Sequence, residues 1–440
     1  MMTKKWQPYP TYKDSGVEWL GAIPEHWENW KISHAFQKIG SGTTPSTNRY
    51  DYYDGDVPWI NTSELRENII TDTSVKITNK ALLDNSVLNL YSPGTLLIAM
   101  YGATIGRLGI LGITACTNQA CCALANPILL DTKFVFYWLW MRRNELIILS
   151  SGGGQPNINQ EKIRSIKIPA PPLPEQQKIA EFLDQETGKI DKLITKKERL
   201  IELLKEKRTA LISHAVTKGL NPDVPMKDSG VEWLGEIPEH WKVKRLKFLT
   251  RQIIDGTHFT PTYAVEGVPF LRVTDIQESV INFEQVKLIP ESEHKELIKR
   301  CNPEKGDLLL SKNGTIGVPR IVDWNHKFSI FVSLCLIKVR KLLSVHYSYY
   351  FFLSHEIKSQ MSYGTKTNTV MNLHLDKIRE FIFTFPPLPE QQKIAQFLDR
   401  ETSKIDNLIT KTRTSIDHLK EYRTALISAA VTGKIDVREH

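Results

Sequence analysis

The side chains of this sequence best equipped for chemistry lie in glycine- and amide-rich loops, and what they suit is contact with phosphates and base edges. Ser151 to Gln160 strings together Gly153, Gln155, Asn157 and Asn159, with Lys162 and Arg164 close behind. Glycine lets backbone amides approach a phosphate closely. Asn and Gln can pair at two points with adenine, and Arg with guanine. A loop at the matching place later in the chain, Tyr363 to Asn372, carries Lys366, Thr367 and Asn368. A second pair of loops combines glycine, threonine and a basic residue: Tyr101, Thr104 and Arg107 in one, Lys312, Asn313, Thr315 and Arg320 in the other. A third, looser pair sets Thr43 and Thr44 after Gly42, and Thr257 after Gly256. Arg49 lies beside Tyr50, Tyr52 and Tyr53, which could stack or touch phosphates or simply form a strand edge. Each loop alone also reads as a surface turn. Their parallel placement in two halves of the chain is what favours DNA contact.

Catalytic signatures are missing from the sequence. A DNA methyltransferase needs an adenosylmethionine site and an Asn/Asp-Pro-Pro-Tyr loop, yet Asn126-Pro127, Asn221-Pro222 and Asn302-Pro303 are not followed by Pro-Tyr. There is no G-x-x-x-x-G-K-[ST] loop for an ATP motor, and no G-x-S-x-G or H-E-x-x-H. Glu293-His294-Lys295 matches a nuclease fragment but lacks its upstream Pro-Asp strand. Cys116, Cys121, Cys122, Cys301 and Cys335 form no C-x-x-C pair and no zinc spacing, so no metal site is expected and the thiols read as free. Lys and Arg number 57 against 49 Asp and Glu, a formal charge of +8 over 440 residues, which permits a polyanionic partner without proving one. The polar N-terminus lacks an apolar signal segment, and the apolar runs are too short to span a bilayer. A soluble, cytoplasmic binding module is expected.

The frame that must position the loops is written twice. Lys13–Trp27 and Lys227–Trp241 agree at all of fifteen positions but one, Ala22 against Glu236. Pro171–Ser213 and Pro386–Ser428 agree at 32 of 43 positions. The offsets, 214 and 215, mean that a unit of half the chain is duplicated. A period this long describes two domains in one chain, a built-in pseudo-dimer. Neutral drift after a recent duplication is the plainer account of the divergent middles. Reading two different short DNA sequences is the functional one.

After Pro171-Pro172-Leu173-Pro174, the run from Glu175 to Val216 places Ile179, Leu183, Ile190, Leu193, Ile194, Leu200, Ile201, Leu204, Leu211 and Ile212 at spacings of three, four and seven. That predicts an amphipathic helix roughly 60 Å long. The second copy repeats the seam with Ile394, Leu398, Ile405, Leu408, Ile409, Ile416, Leu419, Leu426 and Ile427. Two such helices are expected to pair antiparallel, separate the two middle domains and act as a ruler, although each could instead pack on its own domain. The expected layout is a repeat block over 1–27, a reader over 28–170, a helix over 171–226, a second block over 227–241, a second reader over 242–385 and a second helix over 386–440. The readers are expected to be α+β, with strands at Thr95–Met100, Ile163–Ile168, Asp307–Leu310, Phe331–Val339 and Phe381–Phe385. Helices are expected at Phe134–Leu149 and Val345–Met361. Trp19, Trp27, Glu175, Gln176 and Gln177, with Trp233, Trp241, Glu390, Gln391 and Gln392, do not differ between halves. They are therefore expected to serve packing or partner contact and not sequence reading.

The duplicated P-x-L-P-E-Q-Q-x-I-A block with its long helix, and the G-V-E-W-L-G-x-I-P-x-x-W block of Gly16–Trp27 and Gly230–Trp241, resemble the specificity subunit of type I restriction-modification systems. The resemblance spans the whole chain. It implies two target-recognition domains, each reading one half of a split double-stranded DNA sequence, and paired helices that set the spacer. It also implies docking of modification (methyltransferase) subunits, two of them, and restriction (translocase and nuclease) subunits. No cofactor is expected in this chain; adenosylmethionine, ATP and magnesium would sit on those partners. Family motifs do not identify base-contacting residues, so the loop candidates rest on side-chain chemistry and parallel placement.

Overall fold

A computed structural model describes residues 6–148, 157–277, 280–362 and 372–439. The chain forms two compact units, one of residues 1–196 with 414–440, the other of 197–413. Each takes in one repeat block, one divergent stretch and part of both long helices.

The first unit is built on a five-stranded sheet of β1 (Phe36–Gly40), β2 (Asn68–Ile70), β3 (Leu96–Ala99), β4 (Leu108–Leu111) and β5 (Cys121–Pro127), in the order β1-β5-β3-β4-β2. All contacts are antiparallel except β2 with β4. The central strand β3 is buried along its whole length. Alternate side chains of a strand face opposite ways, so Leu96 and Ile98 join one core while Leu97 and Ala99 join another. Helix α1 (Thr132–Met141) starts where the Asp131 carboxylate accepts the Lys133 and Phe134 N–H groups. The long helix α2 (Leu173–Lys218) follows.

The second unit repeats the plan. Its four-stranded sheet is β6 (Thr250–Asp255), β7 (Leu308–Ser311), β8 (Pro319–Ile321) and β9 (Leu334–Val339), ordered β6-β9-β7-β8. Helix α3 (Val345–Leu353) is capped by Ser344, and α4 (Leu388–Val431) is the second long helix. The mixed α+β reading therefore holds in both halves.

Both long helices contribute to each unit, and in each they run antiparallel. In the first, Ile179, Leu183 and Ile190 of α2 share a core with Leu426, Ile427 and Val431 of α4. In the second, Ile212 and Val216 of α2 share one with Ile394 and Leu398 of α4. The expected seam loses Leu200 and Leu408, which are exposed because Ile201, Leu204, Ile405 and Ile409 take the buried face. Asp191 meets Arg423 at 3.0 Å in the first unit, and the duplicate pair Arg208 and Asp406 meet at 3.0 Å in the second. The helix ends are alike too: Gly219 (φ +81°) lies under the Trp241 ring, and Gly433 (φ +71°) under Trp27. A left-handed residue, which favours glycine, ends each helix; a Cβ would press on the Trp241 ring at 3.2 Å in one and run into the Pro24 ring at 2.3 Å in the other.

Two expectations need correction. Ile163–Ile168 is not one strand: Gln160–Ser165 is a short helix capped by Asn159, and the strand is Lys167–Ala170. The Asn159 side chain caps this helix by accepting the Lys162 N–H, and the turn it starts takes in Ile163. The two reader helices are also each broken, at Arg142 and at Ser354.

Candidate nucleic-acid interface

In both units the candidate loops gather at the same end of the central strand, and backbone bonds hold them there. In the first, the Met100 N–H donates to the Ala120 carbonyl at 2.8 Å, and the Met100 carbonyl accepts from Ile158 N–H at 2.9 Å. In the second, Lys312 N–H donates to Ser333 at 2.9 Å and its carbonyl accepts from Leu373 at 2.8 Å. One residue on, Tyr101 bridges Asn157, and Asn313 bridges Asn372. Gly42 and Gly256 bring in the third loop. A Cβ there would lie 1.8 Å from the Thr117 carbonyl oxygen in one unit and 1.9 Å from that of Ile330 in the other. The backbone can pass so close only as glycine.

The structure sorts the candidate residues. Tyr101 and Asn157 are exposed at the rim, with Thr104 and Arg107 partly so. The Thr104 hydroxyl donates to the Tyr101 carbonyl at 2.9 Å, which shapes that turn. The Thr44 hydroxyl donates to Gln119 Oε1 at 2.7 Å, and the Thr43 carbonyl accepts from the Trp59 indole at 3.0 Å. Asn159 accepts the Lys162 N–H at 2.9 Å as a helix cap. Arg49 is engaged at two points with Asp51, both at 2.8 Å, and stacks over Tyr52. In the second unit, Thr315 accepts from Gln277 at 3.0 Å and Arg320 donates to the Ile276 carbonyl at 3.1 Å. Gly153, Gln155, Lys366, Thr367 and Asn368 lie outside the described residues. Two expected DNA contacts are corrected. The Thr257 side chain is buried and bonds locally to Phe259, and Lys312 is buried with its Nζ 3.3 Å from Asp255.

The repeated blocks do structural work of one kind in both units. Gln176 is fully buried: its Oε1 accepts the Asp131 N–H at 2.7 Å, and its Nε2 donates to the Leu129 and Pro171 carbonyls. Gln391 makes the same three bonds to Ser344, Leu342 and Pro386. Each glutamine ties the start of a long helix to the start of a reader helix. Glu175 is buried beneath Tyr9, Trp27 and His26, which approach its carboxylate to 2.7, 2.9 and 2.8 Å. Burial, and then the bond to Glu175, push the Tyr9 phenol far above its usual range. Glu390 keeps only the histidine contact, His240 at 2.8 Å, and the buried Trp241 Nε1 finds no acceptor among the described residues.

Partner contact was expected of these blocks, but Trp27, Trp241, Glu175, Gln176 and Gln391 are buried in their own units and offer no surface. Gln177 and Gln392 are exposed and Glu390 partly so. Trp19 and Trp233 remain 47% and 43% exposed.

Two copies of one scaffold thus present loops of different chemistry. A sequence model of the family described as Type I restriction modification DNA specificity domain matches residues 24–203 and again 238–418. The chain belongs to that family. It is similar to the MjaVIII specificity subunit of Methanocaldococcus jannaschii, at 27% identity over 94% of both chains. It is also similar to the EcoKI specificity subunit of Escherichia coli strain K12, at 23% identity over 94% of this chain and 90% of that one. Its fold matches a structure described under complex assembly and conformational transition of the type I R-M system. That match has a TM-score of 0.74 and 15% identity, covering 93% of this chain and 98% of the other. The HsdS subunit from Thermoanaerobacter tengcongensis matches with a TM-score of 0.56 and 16% identity, over 94% and 98%. This specificity subunit chooses DNA targets for a type I restriction-modification system and is not itself the catalyst. No helix among the described residues is long and apolar enough to cross a membrane.

Sequence reasoning missed residues at and beneath the candidate interface of the specificity subunit. Asn118 and Gln119 stand at the rim of the first unit, where the second has Phe331 and Val332; the register Thr117 to Ile60 against Ile330 to Leu271 sets the match. Nothing local marked them, because they follow a two-residue strand. Asp255 was missed as well, and its signal was its position just before the singled-out Gly256.

Proposed function

We propose that each unit reads one half of a split double-stranded DNA sequence, and that the chain brings modification and restriction subunits to it. The observation that carries this reading is duplication with selective divergence. The tie from Gln176 to Asp131 is repeated by Gln391 and Ser344, while rim positions change from Asn118 and Gln119 to Phe331 and Val332. A shared scaffold with unlike rims suits two different half-sites. The long helices, which enter both units, would set the number of base pairs between them. Identical half-exposed tryptophans, Trp19 and Trp233, suit two copies of one modification subunit. Adenosylmethionine, ATP and magnesium belong on the partner subunits in this reading.

Methylome sequencing of a host carrying the modification partner, with and without this gene, tests the proposal. The expected result is a new split motif with methylated adenine in both halves. Absence of any motif from an expressed, assembled complex would reject it. Insertion of one heptad after Leu193 and after Leu408 should lengthen the spacer and leave both half-sites unchanged.

A further inference from the structure

The second unit buries a charge cluster at a place where the first unit has none. The Asp255 carboxylate, 5% exposed, meets Arg300 at 2.7 Å, His258 at 3.2 Å and Lys312 at 3.3 Å. Arg300 also donates to the backbone carbonyls of Asp255 and Gly256 at 3.1 and 3.0 Å. Burial by itself would raise the Asp255 carboxyl, but the bonds from Arg300, His258 and Lys312 together outweigh it and hold the group below its usual range. The first unit has Ser41 and Met100 at the corresponding positions; Ser41 accepts a bond from Gln160 at 2.8 Å, and Met100 lies in the apolar core. The backbone closes in the same way over Met100 and over Lys312.

That comparison says the fold does not need the ions. Desolvating a lysine and an aspartate together seldom stabilises a protein more than an apolar pair of similar volume would. What the cluster does instead is fix direction. Lys312 and Asp255 are hidden, whereas His258 and Arg300 are 64% and 51% exposed on the side chain. Both grip the same carboxylate, so both are held beside the same spot at the mouth of the reading loops. Three basic groups share one acid there, and an arginine fixed on its inner edge presents its outer edge to an anion.

We infer that Asp255 and Lys312 are positioning residues that hold Arg300 and His258 as a clamp on a DNA backbone phosphate at the half-site read by the second unit. The inference rests on the DNA-reading function proposed above. Such a contact sets register and affinity and carries no base information.

The test uses the full-length chain assembled with its modification partner, on DNA bearing the methylated motif, with affinity measured across a salt series. The double variant Arg300→Gln/His258→Gln alters exposed side chains. It should bind about tenfold more weakly and lower the slope of log affinity against log salt by about one to two. Asp255→Ser/Lys312→Met installs the first unit's residues and leaves the net charge unchanged, yet it should lower the slope by about one. A purely structural role would change melting and leave that slope alone. If Arg300→Gln/His258→Gln keeps the wild-type slope and affinity, the clamp is wrong, whether or not the second variant folds. If the wild-type complex itself shows no salt-dependent binding, it is the DNA-reading proposal that fails.

Discussion

Met100 in the first unit and Lys312 in the second occupy one place at the end of the central strand, with the same two backbone bonds. One side chain joins an apolar core and the other pairs with Asp255. Gln176 and Gln391, by contrast, are the same residue making the same three bonds to reader-domain backbone. The difference separates two kinds of position. Where a side chain satisfies backbone groups that both units share, its chemistry is dictated. Where the backbone satisfies itself, the side chain is open to whatever the local reading task requires.

The largest effect expected from this comparison is unequal. Glu175→Ala should destabilise the first unit by about 3–5 kcal/mol, because it strands the buried Tyr9 hydroxyl and Trp27 indole. Glu390→Ala should cost the second unit about 1 kcal/mol, since only His240 loses a partner. Hydrogen exchange of the two repeat blocks would read both losses, and equal losses would break the contrast.

Next come the glutamines, where equality is the expectation. Gln176→Ala and Gln391→Ala should each cost about 2–3 kcal/mol, by leaving one N–H and two carbonyls without their bonds. Exchange rates at the Asp131 and Ser344 amides would report it. A protected amide in either variant would show that the two ties are not equivalent.

A smaller, functional effect should fall on one unit alone. Gln119→Val places the second unit's residue on the first unit's rim and should relax base choice in one half-site by about 1–2 kcal/mol of discrimination. Methylome sequencing would show a degenerate position in one half and an unchanged second half. Relaxation in both halves would contradict independent readers.

The smallest expected effects are those of the duplicated ion pairs. Arg423→Lys and Arg208→Lys each weaken a partly exposed pair while keeping the charge, with Asp191 and Asp406 respectively. Each should cost less than about 1 kcal/mol. A large loss at either, by denaturant titration, would mean that the pair does more than solvate the helix flank.

Much of this architecture was legible in the residues. Two closely matched pairs of blocks at nearly one offset declare a duplication whatever the fold. The spacing of Ile179, Leu183 and Ile190 declares a long amphipathic helix, because helix periodicity depends only on local geometry. The apolar runs beginning at Leu96 and Leu308 read as strands, since continuous apolar character is local too. The loops that gather at the rim were also legible, as glycine-bearing segments placed in parallel.

Tertiary structure alone decided which side chains of those segments face solvent. Lys312 looks like a surface cation in the sequence, yet it is buried on Asp255, 57 residues earlier in the chain. Glu175 and Gln176 look like an exposed polar pair, yet each is consumed by bonds to groups 40 to 170 positions away. Gln119 reaches the rim through the pairing of Thr117 with Ile60, and there it accepts a bond from Thr44, 75 positions earlier. Periodicity is set by neighbours along the chain, so a sequence displays it. A buried polar group is set by whichever distant donor or acceptor the fold brings to it, and only the folded chain specifies that partner.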